Sequence, residues 1–135
     1  MKLHFTDQPI EGPIKNETTG DSGAELVFFG RVRDLENGIR ITALDYEYYP
    51  QMAEAMLDRI ARTVRDRFDI NDLDCTHRTG IVPVGQASVR IVIRSRHRKA
   101  ALQALDWFID KLKEEVPIWK WGIGPDGERF PSDSS

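Results

Sequence analysis

An amphipathic pattern from about residue 96 to residue 116 constrains the fold more than any other part of the chain. Its apolar residues recur every three or four positions, which is the spacing of one face of an α-helix. Pro117 ends the pattern, because a proline lacks the backbone N–H that a helix needs. Trp107 lies nearly opposite the apolar stripe and therefore predicts a second contact surface, such as a subunit interface. The predicted buried stripe consists of Leu102, Leu105, Ile109, Leu112 and Val116.

Two lysines, Lys113 and Lys120, stand on either side of this proline. At roughly 100° per residue, Lys113 lies roughly 70° from the centre of the stripe, so its stem can be buried while its ammonium group reaches a cleft. Pro117 redirects the backbone, so Lys120 approaches from another direction. Lysines at helix flanks are usually solvated. The spacing alone therefore leaves two interpretations open, an ordinary surface or two cations that face one anionic ligand.

The other end of the same helix begins with four basic residues, which run from Arg96 to Lys99. Cations at a helix N-terminus oppose the helix dipole, at a cost of roughly 0.3–1 kcal/mol each when exposed. Four such residues together need a reason, and an anion held there would be one. Ser95 stands where its hydroxyl can cap the helix.

A second amphipathic pattern predicts another helix at about 51–68, and Pro50 stands where a helix commonly begins. The pattern predicts that one face of this helix is apolar and buried and that the opposite face is charged. The residues of this stripe are Met52, Met56, Leu57, Ile60, Ala61, Val64 and Phe68.

Segments rich in β-branched and aromatic residues predict strands around the two helices. Residues 24–32 are apolar on both faces, which predicts a central strand, and Gly30 indicates a bulge or a close backbone approach. The Glu-Asn-Gly run that ends at Gly38 is a turn signal, and Pro83 places its strand at an edge or in an irregular crossing. We therefore predict an α+β fold with a mixed or antiparallel sheet. The main predicted strands are 2–5, 24–32, 41–49, 73–78 and 87–93.

Composition limits what such a domain can do. A length of 135 residues predicts one domain over 1–135, with a flexible loop at about 9–23 and a short C-terminal tail at about 124–135. The net charge of −3 gives no electrostatic case for binding nucleic acid or membranes, although the basic segment 94–99 keeps RNA binding as an alternative. No apolar run suits a membrane span or a signal peptide, so we expect a cytoplasmic protein. Cys75 is the single cysteine, which excludes an intrachain disulfide, and it is predicted to be a small buried core residue.

Four segments carry a resemblance that spacing alone does not supply. Taken in order, they resemble the large, catalytic subunit of molybdopterin synthase. The resemblance implies an α/β-hammerhead-like single domain. The family commonly has a short N-terminal helix, which the Gly- and Thr-rich start of this chain is expected to reduce. The segments are GAELVFFGRVRD at 23–34, LDYEYYPQMAEAML at 44–57, HRTGIVPVGQASVRIVIRSRHR at 77–98 and DKLKEEVPIWK at 110–120.

The resemblance also implies an activity. Each protomer of a homodimer would bind a small ubiquitin-like sulfur-carrier subunit, giving a heterotetramer, and the C-terminal Gly-Gly tail of this partner carries a thiocarboxylate. Sulfur passes from the tail to cyclic pyranopterin monophosphate and forms the dithiolene of molybdopterin. The implied enzyme is a sulfurtransferase with no metal and no cofactor of its own. The alternative from another class is a non-catalytic module that binds the tail of a ubiquitin-like partner.

The family's functional residues match five positions of this sequence. The resemblance makes Lys113 and Lys120 catalytic lysines, and it makes Arg33, His97 and Arg98 substrate-binding residues, with His97 and Arg98 presented by the neighbouring protomer. Both reacting groups, the thiocarboxylate and the cyclic phosphate, are anions, and a preorganised basic pocket relieves their repulsion. The residues alone leave Arg33 equally consistent with an ion pair, and His97 is too isolated for a zinc site.

Overall fold

Two four-stranded β-sheets, a two-stranded hairpin and two α-helices form the fold in the computed structural model, which describes residues 1–12 and 20–132. The predicted α+β class is confirmed. The helices are α1 (Pro50–Arg67) and α2 (Arg98–Glu115). The strands are β1 (Lys2–Thr6), β2 (Ala24–Arg31), β3 (Leu35–Glu36), β4 (Ile39–Arg40), β5 (Ala43–Tyr48), β6 (Asp72–Arg78), β7 (Gly80–Pro83), β8 (Ala87–Ser95), β9 (Ile118–Ile123) and β10 (Arg129–Ser132).

The first sheet has the order β1-β6-β8-β2, with β1 and β6 parallel and the other pairs antiparallel. Both helices pack against this sheet, and the main core lies between the helices and the sheet. Alternation along β8 points Val89, Ile91 and Ile93 into this core, as predicted. The core also takes in the buried thiol of Cys75, which confirms the prediction for that residue.

The predicted central position of residues 24–32 is wrong. Within the described residues, β2 pairs only with β8 and forms an edge of the first sheet. Its inner residues, Leu26 and Phe28, pack on the main core. On the outer face Val27 is 39% exposed, and the guanidinium of Arg31 lies over the Phe29 ring at 5.4 Å. One apolar face of β2 is therefore packed on the main core, and the other is partly covered by the Arg31 side chain of the same strand.

The predicted bulge at Gly30 is confirmed. The register of β2 against β8 shifts between Gly30 and Arg31. The Val89 side chain also packs closely over the Gly30 backbone, because a Cβ atom at Gly30 would lie 2.8 Å from Cγ1 of Val89. The bulge turns the chain after β2 away from the first sheet and toward the second one.

The second sheet has the order β10-β9-β5-β7 and is antiparallel throughout. Strand β7, which contains Pro83, lies at its edge as predicted. Strand β10 forms the other edge, so residues 129–132 of the segment predicted to be a tail pair with β9. A smaller core lies beneath this sheet. Its buried residues are Val32, Ile41, Leu44, Tyr46 and Val82.

Helix α1 begins at Pro50, as predicted, and buries one face. Met52 was expected in the buried stripe, but it is 61% exposed. The buried face is centred instead on the small residue Ala53, which allows the backbone to approach its neighbours closely. The buried residues are Ala53, Leu57, Ile60, Ala61 and Val64.

The predicted stripe on α2 is rotated from the true one. Leu102 is 52% exposed, whereas Ala101, Ala104 and Phe108 are completely buried. Trp107 is half-buried and packs on the main core, with its ring 6.2 Å from that of Phe68 beside α1. The two helices meet through small and aromatic residues that the leucine spacing did not reveal. The expected contact of Trp107 with another subunit stays a prediction.

The start of α2 also differs from expectation. His97 occupies the cap position without a side-chain hydrogen bond to the helix. Ser95 donates its hydroxyl to the carbonyl of His97 instead of capping the helix, and its own carbonyl accepts a hydrogen bond of 3.0 Å from the N–H of Gly23. The hydroxyl and the carbonyl of Ser95 thus both stabilise the loop before α2.

Part of the predicted flexible loop, residues 13–19, lies outside the described residues. The described N-terminal residues before β2 contain no helix. No helix in the described part of the chain is long and apolar enough to cross a membrane.

Candidate active site: a basic cavity at the end of the second helix

A cavity of about 430 Å³ opens between the C-terminal end of α2 and the two sheets. This volume lies within the range of small-molecule sites. Three of the residues selected from the sequence, Arg33, Lys113 and Lys120, line it together although they come from different elements. The described residues thus bring both lysines and one arginine to a single concave surface.

Lys113 lies in the last turn of α2, where a cation interacts favourably with the helix dipole. It is exposed overall, but it lines the cavity beside Leu112 and Val116. The helix ends immediately afterwards, with the N–H of Val116 bonded to the carbonyl of Leu112 at 3.3 Å. Pro117 follows, and the chain then enters β9.

Lys120 lies in the middle of β9, a strand that the sequence did not predict. It pairs in register with Ser132 on β10 and with Tyr46 on β5. Residues paired across strands place their side chains on the same face of a sheet. The Lys120 side chain is 18% exposed, and its Nζ atom lies 4.0 Å from a carboxylate oxygen of Glu36.

Arg33 follows the bulge at the end of β2. Its position is fixed through its neighbour Val32, whose N–H donates to the carbonyl of Gln86 at 3.0 Å. The carbonyl of Val32 accepts from the N–H of Gly85 at 2.8 Å. Val32 is buried, and the side chain of Arg33 is exposed at the cavity.

The remaining walls of the cavity are mostly apolar. Side chains from the main core and from the smaller core both contribute to them. A site with apolar walls and a few convergent charges suits an extended chain with an anionic end. The apolar lining residues are Phe28, Val32, Leu44, Val89, Ile91, Ile109, Leu112, Val116 and Ile118.

Sequence reasoning missed five further polar residues that line the cavity, namely Arg31, Glu36, Tyr46, His77 and Ser88. Burial raises the pKa of Tyr46, a hydrogen bond with Ser88 lowers it, and the charge of Glu36 raises it again, with a net upward shift. Tyr46 also packs in the smaller core. Its place opposite Lys120 in the sheet register would have identified it, but the partner strand was not predicted.

His77 is held in one orientation within this group. Its Nδ1 atom lies 2.8 Å from the carbonyl of Arg78 and must therefore carry a proton to donate there. The Tyr46 and His77 rings meet edge to face, with centroids 5.3 Å apart. Burial lowers the pKa of His77 to about 4, although the hydrogen bond to the Arg78 carbonyl opposes the shift. The imidazole is neutral at neutral pH, so it adds no positive charge to the cavity.

His97 and Arg98 do not line the cavity of their own chain. They are exposed at the N-terminal end of α2, whereas Lys113 is at its C-terminal end. At roughly 1.5 Å per residue, the helix separates Arg98 from Lys113 by about 22 Å. Their predicted presentation to the cavity of a neighbouring protomer stays a prediction.

Metal-binding side chains are not clustered in the described residues. Over residues 1–12 and 20–132, no three histidine, cysteine, aspartate or glutamate side chains form a group that could hold a metal ion. The cavity instead offers cations and apolar walls, which suit an organic anion.

The chain is similar in sequence to known proteins. A family model described as "MoaE protein" matches residues 6–115. The chain is 38% identical over 134 residues to the molybdopterin synthase catalytic subunit of Bacillus subtilis, covering 98% of this chain and 85% of the relative.

Solved structures show the same fold. Molybdopterin synthase from Staphylococcus aureus superimposes with a TM-score of 0.83 at 31% identity, covering 96% of each chain. A chain from a complex of subunits 1 and 2 of molybdopterin-converting factor from Helicobacter pylori gives a TM-score of 0.70 at 29% identity, covering 82% of this chain and 72% of the other.

Proposed function

Because the chain belongs to the MoaE protein family, we propose that it is the catalytic subunit of a molybdopterin synthase, an enzyme of molybdenum cofactor biosynthesis. Its finer activity is sulfur transfer from the C-terminal thiocarboxylate of a small ubiquitin-like partner to cyclic pyranopterin monophosphate. The observation that carries this proposal is the convergence of Arg33, Lys113 and Lys120 on one cavity.

Electrostatics explains why such a reaction uses this cavity. The thiocarboxylate and the cyclic phosphate repel each other in water, and positive side chains at fixed positions offset that repulsion without reorganising during the reaction. Arg33 is suited to the phosphate, because a guanidinium is always charged and presents a fork of N–H donors. The apolar walls accommodate the extended tail of the partner and exclude water from its terminal group.

The two lysines have different surroundings, which supports different roles. Lys120 is partly buried and faces the carboxylate of Glu36, so we assign it to holding the anionic substrate. Lys113 is more exposed and stands at the rim, where the partner's tail enters. We assign Lys113 to the reacting acyl group, where a lysine amine can act as a nucleophile or transfer a proton.

A second copy of the chain completes the site in this proposal. His97 and Arg98 are too far along α2 to reach the cavity of their own chain, and the resemblance to the family implies that they serve the cavity of the neighbouring protomer. The active assembly is then a homodimer with one small partner bound to each protomer. The complex of two subunits from H. pylori is consistent with this assembly.

The test compares Lys113→Ala with Lys111→Ala in a reconstituted reaction with the thiocarboxylated partner and cyclic pyranopterin monophosphate. Lys111 lies on the same helix but interacts with Glu114 and with the ring of Trp107, away from the cavity. We expect Lys113→Ala to lower molybdopterin formation by roughly 10²–10³-fold and Lys111→Ala to leave it near the wild-type rate. Mass spectrometry measures the product, and circular dichroism verifies the fold.

Full activity of Lys113→Ala would refute the assignment of this lysine. A wild-type chain that binds the partner tightly but forms no pterin product would instead identify a non-catalytic module for ubiquitin-like tails.

A further inference from the structure

A buried carboxylate lies among the cations of the cavity. Glu36 ends β3 and is only 6% exposed. The turn that follows it is tight, because Asn37 and Gly38 both adopt positive φ angles, of 52° and 79°. This Asn-Gly turn fixes the hairpin of β3 and β4. Burying a carboxylate is unfavourable unless it is paired, so the contacts of Glu36 need an explanation.

Within residues 1–12 and 20–132, the side chain of Glu36 interacts with one row of the second sheet. Ser132, Lys120 and Tyr46 are successive cross-strand neighbours on β10, β9 and β5. The hydroxyl of Ser132 donates to Oε2 of Glu36. The Nζ atom of Lys120 lies 4.0 Å from the same oxygen. Tyr46 is the third member, and the charge of Glu36 acts on its phenol.

We propose that Glu36 is a positioning residue, which holds the Lys120 ammonium group at the inner end of the cavity and restricts where an anion can bind beside it. This inference rests on the proposed function. Ser132 holds the carboxylate from one side, so the carboxylate is anchored independently of the lysine that it faces. Lys120 has a flexible four-carbon stem, and an anchored counter-ion limits the positions that its Nζ atom samples.

The negative charge also limits the approach of the substrate. An anion is attracted by Lys120 and repelled by Glu36. It therefore binds on the side of Lys120 that faces away from the Glu36 carboxylate. Glu36 thus determines which side of Lys120 is available, although it does not itself touch the substrate.

Three variants separate the charge of Glu36 from its shape. Glu36→Gln keeps the length and an oxygen that accepts from Ser132, but it removes the charge. Glu36→Asp keeps the charge with a shorter stem. Asp34→Asn is the matched control, because Asp34 is in the same hairpin region but pairs with Arg40 at 3.5 Å on the exposed side.

The readouts are kcat, KM for the pterin, affinity for the small partner, and the crystallographic position of Lys120 Nζ. We expect Glu36→Gln to lower kcat by roughly 10–100-fold, because a displaced Lys120 would hold the bound anion out of its reactive position, and a misplacement of about 1 Å can cost about 100-fold. KM should change less than kcat, and partner affinity should stay at the wild-type value. Glu36→Asp should restore part of kcat, Asp34→Asn should match the wild type, and Lys120 Nζ should be displaced in Glu36→Gln.

A purely structural role of Glu36 predicts the opposite order, because the isosteric glutamine would fit better than the shorter aspartate. Wild-type kcat in Glu36→Gln, or an unmoved Lys120 Nζ in its crystal structure, would overturn the inference. If the wild-type chain makes no molybdopterin, the proposed function fails, and the position of Lys120 Nζ in Glu36→Gln still decides whether Glu36 holds it.

Discussion

Protonation of His77 should destabilise the folded chain in mildly acidic solution. His77 is 6% exposed, packs against the Tyr46 ring and lines the cavity. Burial lowers its folded-state pKa from 6.5 to about 4, with the hydrogen bond to the Arg78 carbonyl acting in the opposite direction. In the unfolded chain the imidazole is solvated and titrates near the ordinary value.

The sign and size of the effect follow from these two values. Between pH 6.5 and about 4 the unfolded chain binds a proton at His77 that the folded chain does not bind. The free energy of unfolding therefore falls as the pH is lowered through this window, and the contribution of His77 is constant above and below it. One pH unit corresponds to 1.36 kcal/mol, so the full loss is about 3 kcal/mol.

The measurement is urea unfolding of the wild type and of His77→Asn at several pH values between 4 and 7. The amide nitrogen of asparagine can replace Nδ1 as the donor to the Arg78 carbonyl, but the side chain does not titrate. The variant loses ring contacts at every pH, so the slope with pH is compared rather than the absolute stability. The carboxylates of the chain titrate in both proteins, and the difference between the two slopes isolates His77.

We expect the wild type to lose about 3 kcal/mol more than His77→Asn between pH 7 and pH 4. An NMR titration of the His77 ring gives an independent value of its pKa. Parallel pH profiles for the two proteins, or a folded-state pKa above 6, would refute the argument.

Two further predictions concern buried groups. Burial raises the pKa of the Cys75 thiol to about 12. Iodoacetamide at neutral pH should therefore leave Cys75 unmodified in the folded chain and alkylate it in the urea-unfolded chain. Mass spectrometry measures the extent of alkylation. Rapid alkylation of the folded chain would contradict this expectation. Arg94 is 4% exposed, and its guanidinium lies 2.7, 3.4 and 3.5 Å from the carboxylates of Glu25, Asp72 and Asp74, respectively. Removing this buried charge with Arg94→Met should lower the free energy of unfolding by about 3–5 kcal/mol. The exposed ion pair of Arg62 with Asp58 provides the control. In urea unfolding of both variants, Arg62→Met should lower the free energy of unfolding by under about 1 kcal/mol. Equal losses in the two variants would contradict the role of burial.

The helices show how far periodicity predicts this fold. Apolar spacing located both helices, and prolines located the start of α1 and the end of α2. The apolar spacing did not determine which face of α2 is buried, because a small residue such as alanine does not stand out in an apolar stripe. Ala101 and Ala104 are nevertheless fully buried where α2 packs closely, and the larger Leu102 is left half exposed. Close packing favours small residues at such contacts, and a search for large ones misses them.

The cavity shows a similar limit. The two lysines were selected from their positions around Pro117, but the reason given for Lys113 was only partly right. Relative to the true buried face, Lys113 lies roughly 135° away at 100° per residue, and it reaches the cavity as an exposed residue. Glu36, Tyr46 and His77 were not found because pairings distant in the sequence bring them together. Nothing local to Glu36 indicates that Ser132, near the other end of the chain, donates a hydrogen bond to it.

Lys120 is oriented by strand alternation, and this has a consequence for how sequences of this kind can diverge. Ile118 and Lys120 face the cavity, and Trp119 between them points outward to the Tyr49 ring at 5.0 Å. Inserting or deleting one residue between Pro117 and Lys120 would exchange the two faces, placing the indole in the cavity and the ammonium group outside. Point substitutions in this stretch change one contact, but a change of length moves one lysine relative to the other. The separation of the two lysines along the chain should therefore admit no insertions or deletions while the activity is retained.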